Sequence, residues 1–288
     1  MDKNTGGWIN GFLGVIIFSG SLPATRVAVA DFTPLFLTST RATIAAILGA
    51  GLLLAFREKR PGRAEIFPLL IVALGVVIGF PLLTALALEH ITAAYSIVFI
   101  GLLPLATAIF AVLRTDEHPR AAFWVFSCLG SALVAGFALT QGVSSSALGN
   151  IYMVAAIIVC GLGYAEGAKL SRTLGGWQVI SWALILSLPV MALLSYFTLP
   201  ATFANIGQSA WAGLAYVSTF SMLIGFIFWY RGLAQGGIAA VGQLQLLQPF
   251  LGLMLAATVL HETVSWPMFA VTVAVVLCVT GARHFARQ

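Results

Sequence analysis

The sequence predicts an all-α polytopic membrane protein with ten transmembrane helices, and three observations carry that prediction. The first is composition: of 288 residues, 60% are hydrophobic and 8% are charged, with a mean hydropathy of +1.02. A soluble domain is only about 45–50% apolar and about 25% charged, and a water-exposed fold could not cover so much apolar surface. The other two observations are the lengths of the apolar segments and the distribution of the basic residues.

Ten apolar segments are bounded by charges, glycines or prolines. Each is long enough to cross a hydrocarbon core of about 30 Å as a helix. Each must be helical, because an unpaired backbone amide in lipid costs several kcal/mol. The first segment ends in Ala28-Val29-Ala30, which looks like a signal-peptidase site, but its length favours a membrane span. The segments are 7–30, 34–56, 66–88, 91–113, 121–140, 147–169, 177–198, 209–231, 238–260 and 265–284.

The basic residues at or beyond the ends of these segments all fall on one side of the membrane when the spans alternate. With the N-terminus inside, the inner segments hold all of them and the outer loops hold none, as the positive-inside rule requires. We therefore expect a multi-pass protein of the bacterial inner membrane with both termini in the cytoplasm, and no nucleic-acid partner behind the net charge of +5. The residues are Lys3, Arg57, Lys59, Arg60, Arg63, Arg114, Arg120, Lys169, Arg172, Arg231, Arg283 and Arg287.

Residues that would support metal, disulfide or catalytic chemistry are not grouped in this sequence. Cys128, Cys160 and Cys278 lie in apolar segments without CxxC spacing, which indicates neither a disulfide framework nor a metal site. The four histidines sit at segment ends and form no HExxH pair. We therefore expect no cofactor, no metal and no catalytic residue, and keep an intramembrane enzyme only as a remote alternative.

The chain also matches itself at a shift of about 145 residues. A repeat of five spans is odd in number, so its second copy enters the membrane from the opposite side. The sequence therefore predicts two inverted five-helix repeats, 1–143 and 144–288, which is an architecture of alternating-access transport. The matching residues are Gly79-Phe80, Pro104, Glu117 and Gly136 in the first copy, and Gly225-Phe226, Pro249, Glu262 and Gly281 in the second.

Two motifs resemble those of a known family. One runs from Pro34 to Arg41 in the second span, and the other runs from Ala93-Ala94-Tyr95-Ser96 through Pro104 to Glu117. Together they resemble the EamA-type drug/metabolite transporter superfamily, and most closely its YddG-type aromatic amino acid exporters. The resemblance covers nearly the whole chain. It implies a ten-helix inverted-repeat bundle that exports amino acids, with a cavity lined mainly by the first four helices of each half.

Polar residues inside the spans are the candidates for solute binding. A charge at a helix centre costs about 2.5–3.5 kcal/mol on insertion scales, so such groups should face a cavity or a partner. Gln245 and Gln248 share a face of the ninth helix. Their amides either bind the carboxylate and ammonium of an amino acid or form hydrogen bonds between helices.

Two arginines lie within the spans, both toward the outer side. Arg41 shares a helix face with Thr38, and Arg26 shares one with Ser19, which is a further candidate for the binding site. Each arginine either extends to the outer headgroups, holds helix packing together, or attracts a solute carboxylate on the outer route.

Aromatic residues offer an apolar slot for the solute side chain, or simply pack in the core. Near the inner end of the sixth helix, Glu166 is expected either to pair with Lys169 at i, i+3 or to carry a coupling proton. The aromatic candidates are Tyr95 and Phe99 with the adjacent Ser96, then Tyr164, Trp229 and Tyr230.

Pro104 and Pro249 are repeat-related and are the expected hinges, because proline removes a helical hydrogen bond. The first span holds no acid, which disfavours the cation exchange of the small multidrug exporters. The resemblance to the YddG-type exporters implies export of aromatic and other apolar amino acids. Other metabolites or drugs of the same superfamily remain the alternative. The expected partners are a small-molecule substrate and the lipid bilayer, and the pattern leaves the oligomeric state open, a monomer being possible.

Overall fold

The computed structural model describes residues 3–91, 96, 99–140, 146–252, 254 and 266–286. Over those residues the chain forms helices and no strand, and six helices are long and apolar enough to cross a membrane. They are α1 (Thr5–Ala28), α2 (Pro34–Ala55), α3 (Arg63–Ala87), α6 (Ala147–Ser171), α7 (Gly176–Phe197) and α8 (Gln208–Gly236). The shorter helices are α4 (Leu103–Arg114), α5 (Ala121–Thr140), α9 (Ile238–Gly242) and α10 (Trp266–Phe285).

The predicted all-α membrane fold is confirmed. The count of ten spans stays a prediction, because parts of the predicted fourth and ninth spans lie outside the described residues. Large apolar side chains stand exposed around the bundle, among them Leu54 at 78%, Leu113 at 69% and Leu277 at 65%. So many exposed apolar side chains are suited to lipid rather than to water.

Local sequence signals set the ends of several helices. Pro34 occupies the first turn of α2, and the preceding Thr33 accepts a 3.3 Å hydrogen bond from the backbone N–H of Phe36. Gly175 and Gly237 have positive φ angles of 98° and 92°. That conformation is cheap only for glycine, so the turns into α7 and α9 can be short.

In two pairs, helices that hold the same place in the two halves run antiparallel to one another. In the α2–α7 pair, Thr40 is hydrogen-bonded to Ser195 at one end, and Phe56 packs on Trp177 at the other. In the α5–α10 pair, the backbone N–H of Arg120 donates to the carbonyl oxygen of Phe285. Further along that pair, Gly130 faces Cys278.

The first helix of each half packs against the third helix of the other. Gly7 and Gly11 of α1 lie directly against Gly236 and Gly232 of α8. The α3–α6 pair repeats the arrangement, with Gly75 against Gly163. Small residues let helix backbones approach closely where lipid supplies no hydrophobic driving force for association. The α1–α8 contact and the α3–α6 contact are therefore equivalent when the two halves are exchanged.

Contacts at the helix ends and in the loops define the two ends of the bundle. The Arg283 guanidinium lies 4.6 Å from the centre of the Trp8 ring, which brings the two ends of the chain together on what we call the termini face. At the other end, which we call the opposite face, Asp31 accepts a hydrogen bond from the Gly207 N–H, and His90 stacks on Tyr152.

Candidate functional site

A cavity lies between the two halves. It contains about 680 Å³ of empty space, a volume that includes its open mouth. Its apolar wall includes Phe18, Phe80, Ile100, Leu103 and Phe226. Its polar lining consists of Ser21, Thr25, Arg41, Thr84, Tyr164, Ser221, Gln245 and Gln248.

A π-helical turn borders the cavity in the third helix of each half. One covers Ala73–Gly79 in α3 and the other covers Val217–Ile224 in α8. Val76 and Ser221, which belong to these turns, line the cavity. A π-helical turn inside an α-helix is rare and is frequent at functional sites. Sequence reasoning missed both turns, and the only trace of them was the recurrence of Gly-Phe where each turn ends.

Helix α9 continues into a 3₁₀-helical segment, Gln243–Leu247. Pro249 follows two residues later and has no N–H to donate to the carbonyl oxygen of Gln245, so a regular α-helix cannot run through this point. The interruption brings Gln245 and Gln248 into the cavity wall. The Gln245 amide nitrogen donates to the Tyr164 hydroxyl at 3.2 Å, while its amide oxygen is buried without a partner in the described part of the chain.

The side chain of Gln248, in the second half, contacts the first helix at the point where that helix is interrupted. Helix α1 is interrupted at Gly20, and the carbonyl oxygens just before this break accept hydrogen bonds from side chains. The Gln248 amide donates to Phe18 O at 3.3 Å, and the Tyr216 hydroxyl donates to Ile17 O at 2.7 Å. Gln248 therefore links two helices while it also lines the cavity.

Arg41 is buried in the cavity wall. Its side chain is 8% exposed, so it does not extend to the headgroups, and that alternative is wrong for this residue. One terminal guanidinium nitrogen, Nη2, lies 3.4 Å from the Ser221 hydroxyl, and the Nε atom has no partner in the described structure. Arg26 is exposed and lies outside the cavity lining.

Only part of the predicted aromatic set reaches the cavity. Tyr164 lines it together with Phe18 and Phe226, whose rings meet edge to face at 5.1 Å. Trp229 and Tyr230 are fully buried behind this wall. The Trp229 ring packs 5.5 Å from that of Tyr164, so it supports the lining in this conformation.

Of the remaining predicted residues, those that the structure describes lie near the cavity without lining it. The Ser19 hydroxyl donates to Val15 O within its own helix. Ser96 and Phe99 are buried, and their neighbours Ile100 and Leu103 line the cavity instead. Pro104 lies in the first turn of α4, and Tyr95 lies outside the described residues.

Ion pairs and a helix cap join the loops of the termini face. The Glu117 carboxylate accepts 2.9 Å hydrogen bonds from the backbone N–H groups of Ile238 and Ala239, and it pairs with Arg172 at 2.5 Å. Near them, the buried Glu166 pairs with Arg114 Nε at 2.8 Å. The predicted pairing of Glu166 with Lys169 is therefore wrong: the carboxylate turns inward to α4, whereas Lys169 is exposed.

A helical bundle with an apolar exterior and a polar cavity between its halves defines a membrane transporter of small solutes. Comparison with known sequences agrees: the chain belongs to the EamA-like transporter family, which matches residues 5–139 and, a second time, residues 147–282.

Two individual proteins extend the comparison. The chain is 68% identical, over 287 residues and the full length of both proteins, to the uncharacterized transporter YdeK of Bacillus subtilis (strain 168). A protein of known crystal structure superimposes with a TM-score of 0.80 over 97% of this chain and 96% of its own. Its sequence identity is 18%, so this similarity shows only that the two proteins share a fold.

Proposed function

We propose that this transporter exports aromatic and other apolar amino acids by alternating access of the cavity between its halves. The observation that carries the proposal is the composition of the cavity wall. Amides from Gln245 and Gln248 lie beside the rings of Phe18 and Phe226, so one chamber offers hydrogen bonds to a polar head group and an apolar surface to a side chain.

We further propose that residues 1–143 and 144–288 are inverted repeats. Support comes from the antiparallel α2–α7 and α5–α10 pairs and from the exchange-related α1–α8 and α3–α6 contacts. If each half can adopt the conformation of the other, the same contacts close the cavity on either face. Pro104 and Pro249, beside the cavity on repeat-related helices, are the proposed hinges.

The positions of the basic residues indicate the side of the membrane toward which the cavity is closed. The helix ends on the termini face carry several basic residues, and by the positive-inside rule this face is cytoplasmic. These residues are Arg57, Arg114, Arg172, Arg231 and Arg283. The loops of that face are joined through Glu117 and contribute no residue to the cavity lining. The described conformation is therefore the one closed toward the cytoplasm.

The test is counterflow in proteoliposomes loaded with unlabelled phenylalanine. We expect labelled phenylalanine and leucine outside to accumulate faster than in protein-free vesicles. Labelled amines without a carboxylate should not accumulate. Flux equal to that of empty vesicles across all twenty amino acids would reject amino acid export.

A further inference from the structure

Among the described residues that line the cavity, Arg41 is the one cation and there is no carboxylate. The acidic residues with described ion pairs, Glu117 and Glu166, pair elsewhere, with Arg172 and Arg114. A buried charge with no counter-ion is costly, and charged residues within membrane helices mark solute pathways. The counter-charge of Arg41 is therefore expected to come from the solute.

The groups around Arg41 present hydrogen-bond donors. The Ser221 oxygen accepts from the Ser21 hydroxyl at 2.8 Å and from Arg41 Nη2 at 3.4 Å, which leaves its own proton available to donate. The Thr84 hydroxyl is buried without a partner among the described residues, as is Arg41 Nε. A guanidinium and two hydroxyls facing one space are suited to an anion rather than to a cation.

We propose that Arg41, Ser221 and Thr84 form the subsite that binds the carboxylate of the transported solute. This inference rests on the proposed function and adds a requirement to it: a carboxylate is necessary for recognition, whereas an ammonium group adds affinity without being necessary. The carboxylate lies at Arg41, and the hydrocarbon part of the solute lies along Phe18 and Phe226. The planar guanidinium can bind a carboxylate through two parallel hydrogen bonds, which a lysine ammonium cannot do.

The first test needs no variant. Phenylalanine, 3-phenylpropionate and phenylethylamine share one ring and differ in their charged groups. Each is tested, at equal concentration, as a competitor of labelled phenylalanine in counterflow. We expect 3-phenylpropionate to compete and phenylethylamine to have no effect. Equal competition by the two compounds, or competition by the amine alone, would overturn the carboxylate subsite.

The second test replaces Arg41. Loss of two charge-assisted hydrogen bonds should slow phenylalanine exchange by Arg41→Gln by about tenfold or more, and Arg41→Lys should recover part of that loss. The matched control is Arg60→Gln, which removes an exposed loop arginine outside the cavity lining and should stay within about twofold of the parent protein. An Arg41→Gln protein that exchanges phenylalanine at the control rate would refute the subsite.

Thermal unfolding of the purified parent protein separates this inference from the proposed function. A melting temperature raised by 3-phenylpropionate but not by phenylethylamine supports the subsite even if no flux is measured, in which case amino acid export alone fails. Active exchange of phenylalanine with equal stabilisation by the acid and the amine supports transport and rejects the subsite. A melting temperature that neither compound raises, in a protein without flux, rejects both.

Discussion

Glu117 holds the N-terminus of helix α9 through a 2.9 Å hydrogen bond from the backbone N–H of Ala239. A second bond comes from Ile238, and Arg172 pairs with the same carboxylate. A negative charge at a helix N-terminus satisfies N–H groups that have no partner inside the helix, and it interacts favourably with the helix dipole. This one side chain thus joins the loop after α4, the loop after α6 and the start of α9.

Replacing Glu117 with glutamine should loosen the start of α9. The amide keeps one acceptor but loses the charge, and loss of a helix cap costs about 0.5–2 kcal/mol. We expect about tenfold faster hydrogen exchange in peptides that cover residues 238–242, measured by mass spectrometry, since 1.4 kcal/mol corresponds to a factor of ten. Glu65→Gln is the control, because Glu65 caps Gly62 in an exposed loop. Unchanged exchange at α9 in Glu117→Gln would show that this contact does not hold the helix.

The Arg114–Glu166 pair predicts an asymmetry between two substitutions. Glu166 is 3% exposed and Arg114 is 39% exposed, so only the arginine can reach water when its partner is lost. Arg114→Gln leaves a buried carboxylate without its partner and should lower the free energy of unfolding by about 3 kcal/mol. Glu166→Gln should lower it by about 1 kcal/mol. Thermal unfolding in detergent measures both. Lys169→Gln should be neutral, and a loss equal to that of Arg114→Gln would restore the pairing of Glu166 with Lys169.

Close contact between α1 and α8 predicts an effect of adding a single methyl group. A Cβ at Gly232 would lie 2.5 Å from the backbone nitrogen of Gly11, and backbone cannot move aside as a flexible side chain can. Gly232→Ala should therefore lower stability by about 1–3 kcal/mol. At Gly51 nothing lies within 4 Å, so Gly51→Ala should be neutral or stabilising by up to about 1 kcal/mol. Equal melting temperatures for the two variants would contradict the described packing.

The helix boundaries were well predicted from sequence because they depend on local signals. The predicted spans 147–169 and 177–198 are helices Ala147–Ser171 and Gly176–Phe197 in the structure. The basic residues that separate them and the glycine that starts α7 act within a few residues of the chain. The same local reasoning identified Gln245 and Gln248, because a polar residue in an apolar span is visible in sequence without knowledge of its neighbours.

Features that depend on other helices were not predictable. From sequence, Arg41 could extend to the headgroups, hold helix packing together or attract the solute. In the structure its guanidinium faces the buried hydroxyl of Ser221, 180 positions away in sequence. Likewise, Trp229 is held behind the wall by contacts with Phe18 and Tyr164. No periodicity in a single helix specifies which of its buried faces borders a cavity and which borders another helix.

Gln245 provides the sharpest test of the cavity as a binding site. Its amide oxygen has no hydrogen-bond partner among the described residues, while its nitrogen is held by Tyr164, so the oxygen is left to accept from the solute ammonium. A hydrogen bond to a charged group contributes about 1.5–3 kcal/mol. Gln245→Ala should therefore slow phenylalanine exchange by about tenfold or more at an unchanged melting temperature.

Two matched variants decide how that loss is interpreted. Tyr164→Phe removes only the bond that orients the amide and should slow exchange by a smaller factor of about three, which is less than 1 kcal/mol. Gln208→Ala removes an exposed glutamine at the start of α8 and should leave the kinetics of exchange unchanged. Because 3-phenylpropionate has no ammonium, its competition should also survive in Gln245→Ala. Phenylalanine exchange equal to that of Gln208→Ala would assign Gln245 to helix packing instead.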